Sequence, residues 1–189
     1  MNVLGGGLSE AGRHEDALPV REAELAMMQR LGAPEHSILA AKSNLANSYQ
    51  IRGRLEEALD VKRDAYSGIL KLYGKEHNQT LVAAFNYSRS LQDLERFEEA
   101  RSLLRKVISV ARRVLGEDHG LTLKLRWNYA AALLNDTSAT LDDLREAVTT
   151  LEDAERTARR VLGGTHPTTT GIETALRQAR AVLRAREPK

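Results

Sequence analysis

The chain repeats one short phrase four times. It reads Leu31-Gly32-Ala33-Pro34-Glu35-His36, then Leu72-Tyr73-Gly74-Lys75-Glu76-His77, then Leu115-Gly116-Glu117-Asp118-His119, and last Leu162-Gly163-Gly164-Thr165-His166. The histidines stand 41, 42 and 47 residues apart. Self-similarity at a period of this size marks a repeat array, in which each unit buries its apolar face only against its neighbours. Such arrays stack into solenoids with extended surfaces, and they act mostly by binding.

Three more segments align at the same period. They are Asn44-Leu45-Ala46-Asn47-Ser48-Tyr49, Asn86-Tyr87-Ser88-Arg89-Ser90-Leu91 and Asn128-Tyr129-Ala130-Ala131-Ala132-Leu133. Each is polar, large, small, two variable residues, then large. The two large residues lie one helical turn apart on one face, and the small residue lets a second helix approach closely. A second helix follows each, marked by Glu57-Ala58, Glu99-Ala100 and Glu146-Ala147, with Asp16-Ala17 before them. Downstream of Ala100 the apolar residues Leu103, Leu104, Val107, Val110, Ala111 and Leu115 recur at helical spacing. The glycine of each phrase is expected to end the second helix in a left-handed conformation. Thr80, Thr122 and Thr168 follow, and hydroxyls near a helix start can cap its free amides.

Composition agrees with an all-helical chain. Aromatic residues make up 4% of it, too few for a strand-rich fold, and Ala, Leu, Arg and Glu favour helix. The 28 basic and 26 acidic side chains nearly cancel, for a net charge of +2. No concentrated basic stripe of the kind nucleic acid requires emerges. There is no cysteine, hence neither a disulfide framework nor thiolate chemistry. No apolar run approaches the ~20 residues of a membrane span. These features lead to the expectation of a cytoplasmic protein.

The periodic pattern resembles the tetratricopeptide repeat, a helix-turn-helix unit of about 34 residues in its common form. The longer period, the Leu-Gly-x-x-His connector and the Asn-Leu-Ala core are similar to the repeats of kinesin light chains. The resemblance implies an all-α, right-handed superhelical solenoid of antiparallel helix pairs. The repeats are placed at 1–34 (a truncated first repeat), 35–75, 76–117 and 118–164, with a C-terminal capping helix and tail at 165–189. In the first unit only Val3-Leu4-Gly5 and Leu8 stand where the first helix should be. The 47-residue interval carries five extra residues, placed in a longer inter-helix loop around Leu134 to Asp143, where Asn135-Asp136-Thr137-Ser138 is turn-rich. In the last unit Ala175 and Arg177 replace the expected asparagine and small residue, as a capping helix with a polar outer face would.

No catalytic constellation is present. Gly5-Gly6-Gly7 lacks the Gly-Lys-Ser/Thr of a phosphate loop, and no Gly-x-Ser-x-Gly elbow occurs. The acidic pairs Glu56-Glu57, Glu98-Glu99 and Asp142-Asp143 suit the first turns of second helices, where they complement the helix dipole. Histidines in successive repeats would lie about 10 Å apart, the spacing of packed helices, whereas zinc needs ligands within about 2.1 Å of one ion. They are therefore read as packing or hydrogen-bonding at the connectors. Neither a metal nor a cofactor is expected, and the chain is not expected to be an enzyme.

In the tetratricopeptide family the first helices line a concave face, and the asparagine before the large-small pair contacts a bound peptide backbone. The resemblance thus implies that Asn44, Asn86 and Asn128 face a groove. A primary amide suits that role because it both donates and accepts; the alternative is that these amides only bridge neighbouring helices. Helical spacing adds Asn47, Val82, Phe85, Arg89, Lys124 and Trp127 to the same face. The mixture fits a protein or peptide segment with an apolar anchor and acidic residues. Trp127 is the sole tryptophan, and two roles stay open for it: interface hot spot, or structural aromatic filling a helix seam. The expected function is a non-catalytic peptide-binding scaffold, with a structural or regulatory module of a larger protein as the alternative. Self-association is expected through an exposed end repeat, and neither nucleic acid nor membrane is an expected partner.

Overall fold

The computed structural model describes residues 14–187, with side chains from Leu18 onward. Val3-Leu4-Gly5, Leu8 and the Asp16-Ala17 side chains, which carried the reading of the first repeat, lie outside what is described. Eight helices and no strand occupy the described residues: α1 (His14–Arg30), α2 (Glu35–Ile51), α3 (Leu55–Tyr73), α4 (Asn78–Asp93), α5 (Phe97–Leu115), α6 (Gly120–Asn135), α7 (Leu141–Leu162) and α8 (Pro167–Arg186). None of these helices is long and apolar enough to cross a membrane. The chain divides into two compact units, one ending at Leu94 and one starting at Glu95. The first holds α1 to α4, packed in series; the second holds α5 to α8 likewise, with α8 also resting on α6.

Within each unit the repeated residues build the core. The small residues Ala46, Ser88 and Ala130 have no exposed surface, and Leu45, Leu91, Tyr129 and Leu133 are buried beside them. On the second helices Ala58, Ala100 and Ala147 are fully buried. A bulkier side chain at Ala100 would overpack this seam, at a cost of about 1–3 kcal/mol. Gly68 of α3 lies so close to Leu39 of α2 that a Cβ there would fall 2.5 Å from a leucine methyl.

The connectors follow one design, and two expectations change on it. Gly74, Gly116 and Gly163 do end α3, α5 and α7 with positive φ of 80°, 93° and 87°, but their ψ values are 170°, 163° and 161°. That is an extended mirror-image conformation open essentially to glycine alone, not the left-handed helical one. The caps of the next helices are the histidines rather than the threonines. Nδ1 of His77, His119 and His166 accepts from the backbone N–H two residues on, at 3.2, 3.2 and 3.1 Å. Thr80 and Thr122 sit three residues past the caps, inside the first turn, and Thr168 supplies the amide that His166 accepts; all three are buried. The Thr80 hydroxyl instead donates to the Gly74 carbonyl at 2.7 Å. His36 departs from the pattern. One more residue separates it from its glycine, so Pro34 takes the cap position of α2 without a side-chain bond.

The longer interval also resolves differently. The α6–α7 connection has five residues (136–140), against three at 52–54 and 94–96, while α7 has 22 residues against 19 in α5. Two of the five extra residues thus lengthen the loop and three lengthen the helix. Local capping explains the split. Asp136 closes a turn by accepting from the Ser138 amide at 2.9 Å. Thr140 and Asp143 then form a reciprocal capping box at 3.1 and 2.8 Å, which starts α7 early. The acidic pairs lie in the first turns of α3, α5 and α7.

Candidate functional site

In the first unit a cleft of about 710 Å3 lies along α2 and α4. Ala40 and Ser43 come from α2, and Val82, Ala83 and Asn86 from α4. The end of α1 contributes Met27 and the turn after it Leu31, both exposed, and α3 contributes Ile69 and Tyr73. Tyr73 stacks on the capping imidazole of His77, with ring centroids 4.5 Å apart, so one wall is tied to the connector. The lining is mostly apolar, with a carboxylate from buried Glu24.

A small recess adjoins the cleft and shares Ser43, Ala83 and Asn86 with it. Asn47 and Lys62 complete the recess together with Ala65. Lys62 is only 6% exposed. Its ammonium donates to Gln50 Oε1 at 2.5 Å, and the Gln50 amide donates in turn to Asp93. Burial pushes the Lys62 amine down to about 8; Asp93 opposes that shift and the like charge of Arg89 adds to it. The shift makes burial the dominant influence on this group.

Sequence reasoning missed Lys62, yet the repeat contains the signal. Ala58, Ala100 and Ala147 occupy one register position, and four residues on stand Lys62, Leu104 and Leu151. Both leucines are fully buried. Lys62 is thus a cation at a core position that the second unit fills with hydrocarbon. Arg21 of α1 stands four residues after Ala17 in the same way, and its guanidinium donates to the Asn44 carbonyl at 2.6 Å.

The residues singled out from the sequence separate into groups. Val82 and Asn86 line the apolar cleft, and Asn47 and Asn86 line the recess. Asn44 is half-buried, and its backbone carbonyl accepts from Arg21. Phe85 is half-buried, and exposed Arg89 acts on Lys62 through its charge. In the second unit Lys124 is exposed, while Trp127 and Asn128 are half-buried. The Trp127 ring packs closely against α8: a Cβ on Gly171 would fall 2.3 Å from a ring carbon. Among the described residues no three His, Asp or Glu side chains group closely enough to hold a metal ion.

With this geometry the family can be stated. The chain belongs to the tetratricopeptide repeat family, whose model matches residues 1–67 and 37–108. Its fold is that of the kinesin light chain type of array. A Podosopora anserina kinesin-light-chain-type protein with nearly identical TPR-like repeats is 24% identical, with a TM-score of 0.80 over 97% of this chain and 85% of that one. A variant of the same protein is 23% identical, with a TM-score of 0.82 over 97% and 84%. BtubC (BKLC) from P. vanneervenii is 15% identical, with a TM-score of 0.65 over 100% and 81%. No curated protein matches the chain by sequence.

Proposed function

We propose that this chain is a non-catalytic scaffold that binds an extended segment of a partner protein along the first helices of its repeats, with the α2–α4 cleft as the principal site in the first unit. One observation carries the reading: an apolar cleft of about 710 Å3 shares Asn86 with a recess that holds a buried cation. The cleft takes an apolar side chain of the partner. Asn86 and Asn47 pair with its backbone, since an amide matches both halves of a peptide unit. Lys62 and Arg89 attract an acidic residue next to the anchor. A buried lysine where leucine stands in sister repeats destabilises the fold, and groups perturbed in this way concentrate at functional sites. In the second unit the reading assigns Lys124, Trp127 and Asn128 of α6 to the corresponding face. There the packing of Trp127 on Gly171 favours the structural role for that ring.

The test starts with a partner peptide selected from a random display library against the whole chain. Asn86→Ala is expected to weaken it roughly threefold to tenfold, the equivalent of one neutral hydrogen bond of about 0.5–1.5 kcal/mol. Arg89→Glu is expected to cost more for an acidic peptide, with a loss that shrinks as salt rises. Exposed Lys71→Glu serves as the control. Selected peptides whose binding ignores both α4 changes, but is lost on changing exposed residues of α3 or α5, would refute the proposal.

A further inference from the structure

One residue in the mostly apolar lining of the α2–α4 cleft does not match its surroundings. Glu24 of α1 forms part of the wall and is only 7% exposed. Its register position belongs to the core in every other repeat. Seven residues after Ala17, Ala58, Ala100 and Ala147 stand Glu24, Ala65, Val107 and Ala154. Ala65, Val107 and Ala154 are buried hydrocarbon. Thus α1 carries a carboxylate where α3, α5 and α7 carry core.

Among the described residues nothing compensates that carboxylate. It enters no hydrogen bond and no ion pair there. Arg21, one turn earlier on α1, directs its guanidinium to the Asn44 backbone carbonyl at 2.6 Å. No lysine or arginine of the described residues lines the cleft, and its other titratable side chains are His36 and Tyr73. Taking a carboxylate out of water without a partner is costly, and departures of this kind from a shared pattern fall at functional sites. Met27 and Met28 stand three and four residues after Glu24, which puts them beside it on the same helix face. Both line the cleft, with Val82 of α4. The wall therefore offers an apolar track next to one unpaired negative charge.

We propose that the α2–α4 cleft seats a basic side chain of the partner, with its aliphatic stem along Met27, Met28 and Val82 and its cationic head on the Glu24 carboxylate. Arginine and lysine bury their stems on apolar surface and keep the charge at the tip. The guanidinium fork of arginine also meets a carboxylate with two parallel hydrogen bonds. The proposal rests on the reading of this cleft as the partner site, and it specifies the anchor as an apolar stem with a cationic end. Glu24 lines the cleft and not the recess, whereas Lys62 lines the recess and not the cleft. The preferred segment thus pairs a basic anchor with a neighbouring acidic residue, each meeting the opposite charge. A neutral anchor leaves Glu24 buried and unpaired, which is how the site discriminates against it.

The experiment titrates the full chain with n-hexylguanidinium and with its neutral isostere n-hexylurea, followed by the amide NMR shifts of α2 and α4. The cation is expected to bind roughly tenfold tighter, the contribution of a hydrogen bond to a charged group. Glu24→Gln keeps the shape of the side chain and should abolish that preference while leaving hexylurea binding unchanged. Glu24→Ala, the residue found in two sister repeats, should do the same and raise the melting temperature, so the test does not depend on one variant. Peptides selected from the display library should carry arginine or lysine at one fixed position, and selection against Glu24→Gln should lose it. Equal binding of the two compounds, a preference that survives both variants, or selected peptides that occupy the cleft without a basic residue would overturn the basic anchor and leave the cleft as an apolar site. Shifts in the cleft from neither compound would overturn the reading of the cleft itself, and this proposal with it.

Discussion

The histidines are the residues on which the array turns. A helix leaves its first four N–H groups without intrahelical partners, and His77, His119 and His166 each satisfy one through Nδ1. That acceptor role requires the proton on Nε2. His119→Ala should therefore cost about 0.5–2 kcal/mol by urea denaturation, while His119→Asn should retain most of the stability, because asparagine is among the best caps. Equal losses from both would mean that the imidazole acts by packing. A second position offers the opposite sign. Gly53 has a φ of 73°, and its counterpart one repeat later is Glu95, the described non-glycine residue with positive φ, at 57°. An L-residue pays about 1–2 kcal/mol there, and a glycine returns part of that through its larger unfolded-state entropy. Glu95→Gly should stabilise the protein by up to about 1 kcal/mol, read as a raised midpoint at unchanged denaturant slope. The histidines could be found by reading the repeat, but their role as caps could not. The sequence alone does not say where the helix begins, and an error of three residues moves the cap from His77 to Thr80.

At the scale of the element, α3, α5 and α7 share one pattern and differ where it matters. Their buried stripe reads Ala58, Lys62, Ala65 in α3; Ala100, Leu104, Val107 in α5; and Ala147, Leu151, Ala154 in α7. The lysine has a measurable consequence. Its folded-state value of about 8 lies below the ~10.4 of an exposed lysine, so the unfolded chain binds this proton more tightly than the folded one. The resulting destabilisation is fully present below about pH 8 and is relieved as the pH rises toward ~10.4. Stability should thus increase across that window. Lys62→Met should raise stability at pH 7 by about 1–3 kcal/mol and remove that part of the rise. Wild type and variant with parallel pH profiles would show that the amine is solvated. The same variant should weaken an acidic partner peptide, linking the cost in stability to the proposed site.

For the whole molecule, stability in a repeat array is close to a sum of unit terms and nearest-neighbour interfaces. Among the described helices of the first unit α1 packs chiefly on α2, whereas α2 and α3 each pack on two helices. Amide hydrogen exchange should accordingly be faster throughout α1 than in α2 and α3. Uniform protection over all three would point to a further contact that covers α1. Exposed Met27 of α1 and Leu31 just after it line the α2–α4 cleft. Ligand binding there should therefore slow exchange in α1 as well as in α4.

Period and residue type were sufficient to determine the helical class, the pairing of helices and the buried faces. Each follows from interactions within one repeat or between adjacent ones, which recur wherever the phrase recurs. The placement of Asn44, Asn86 and Asn128 on first helices was legible for the same reason. Tertiary structure decided the rest, because those features depend on distances between residues remote in sequence. It divided the five extra residues between loop and helix according to which caps could form. It set the Trp127 ring against the backbone of Gly171, a contact possible only where residue 171 has no side chain. It put Lys62 beside Asn47 and Asn86, and it brought Glu24 of α1 to the α2–α4 cleft. Repetition fixes what every unit shares, whereas a binding site depends on where the units differ and on what those differences meet in space.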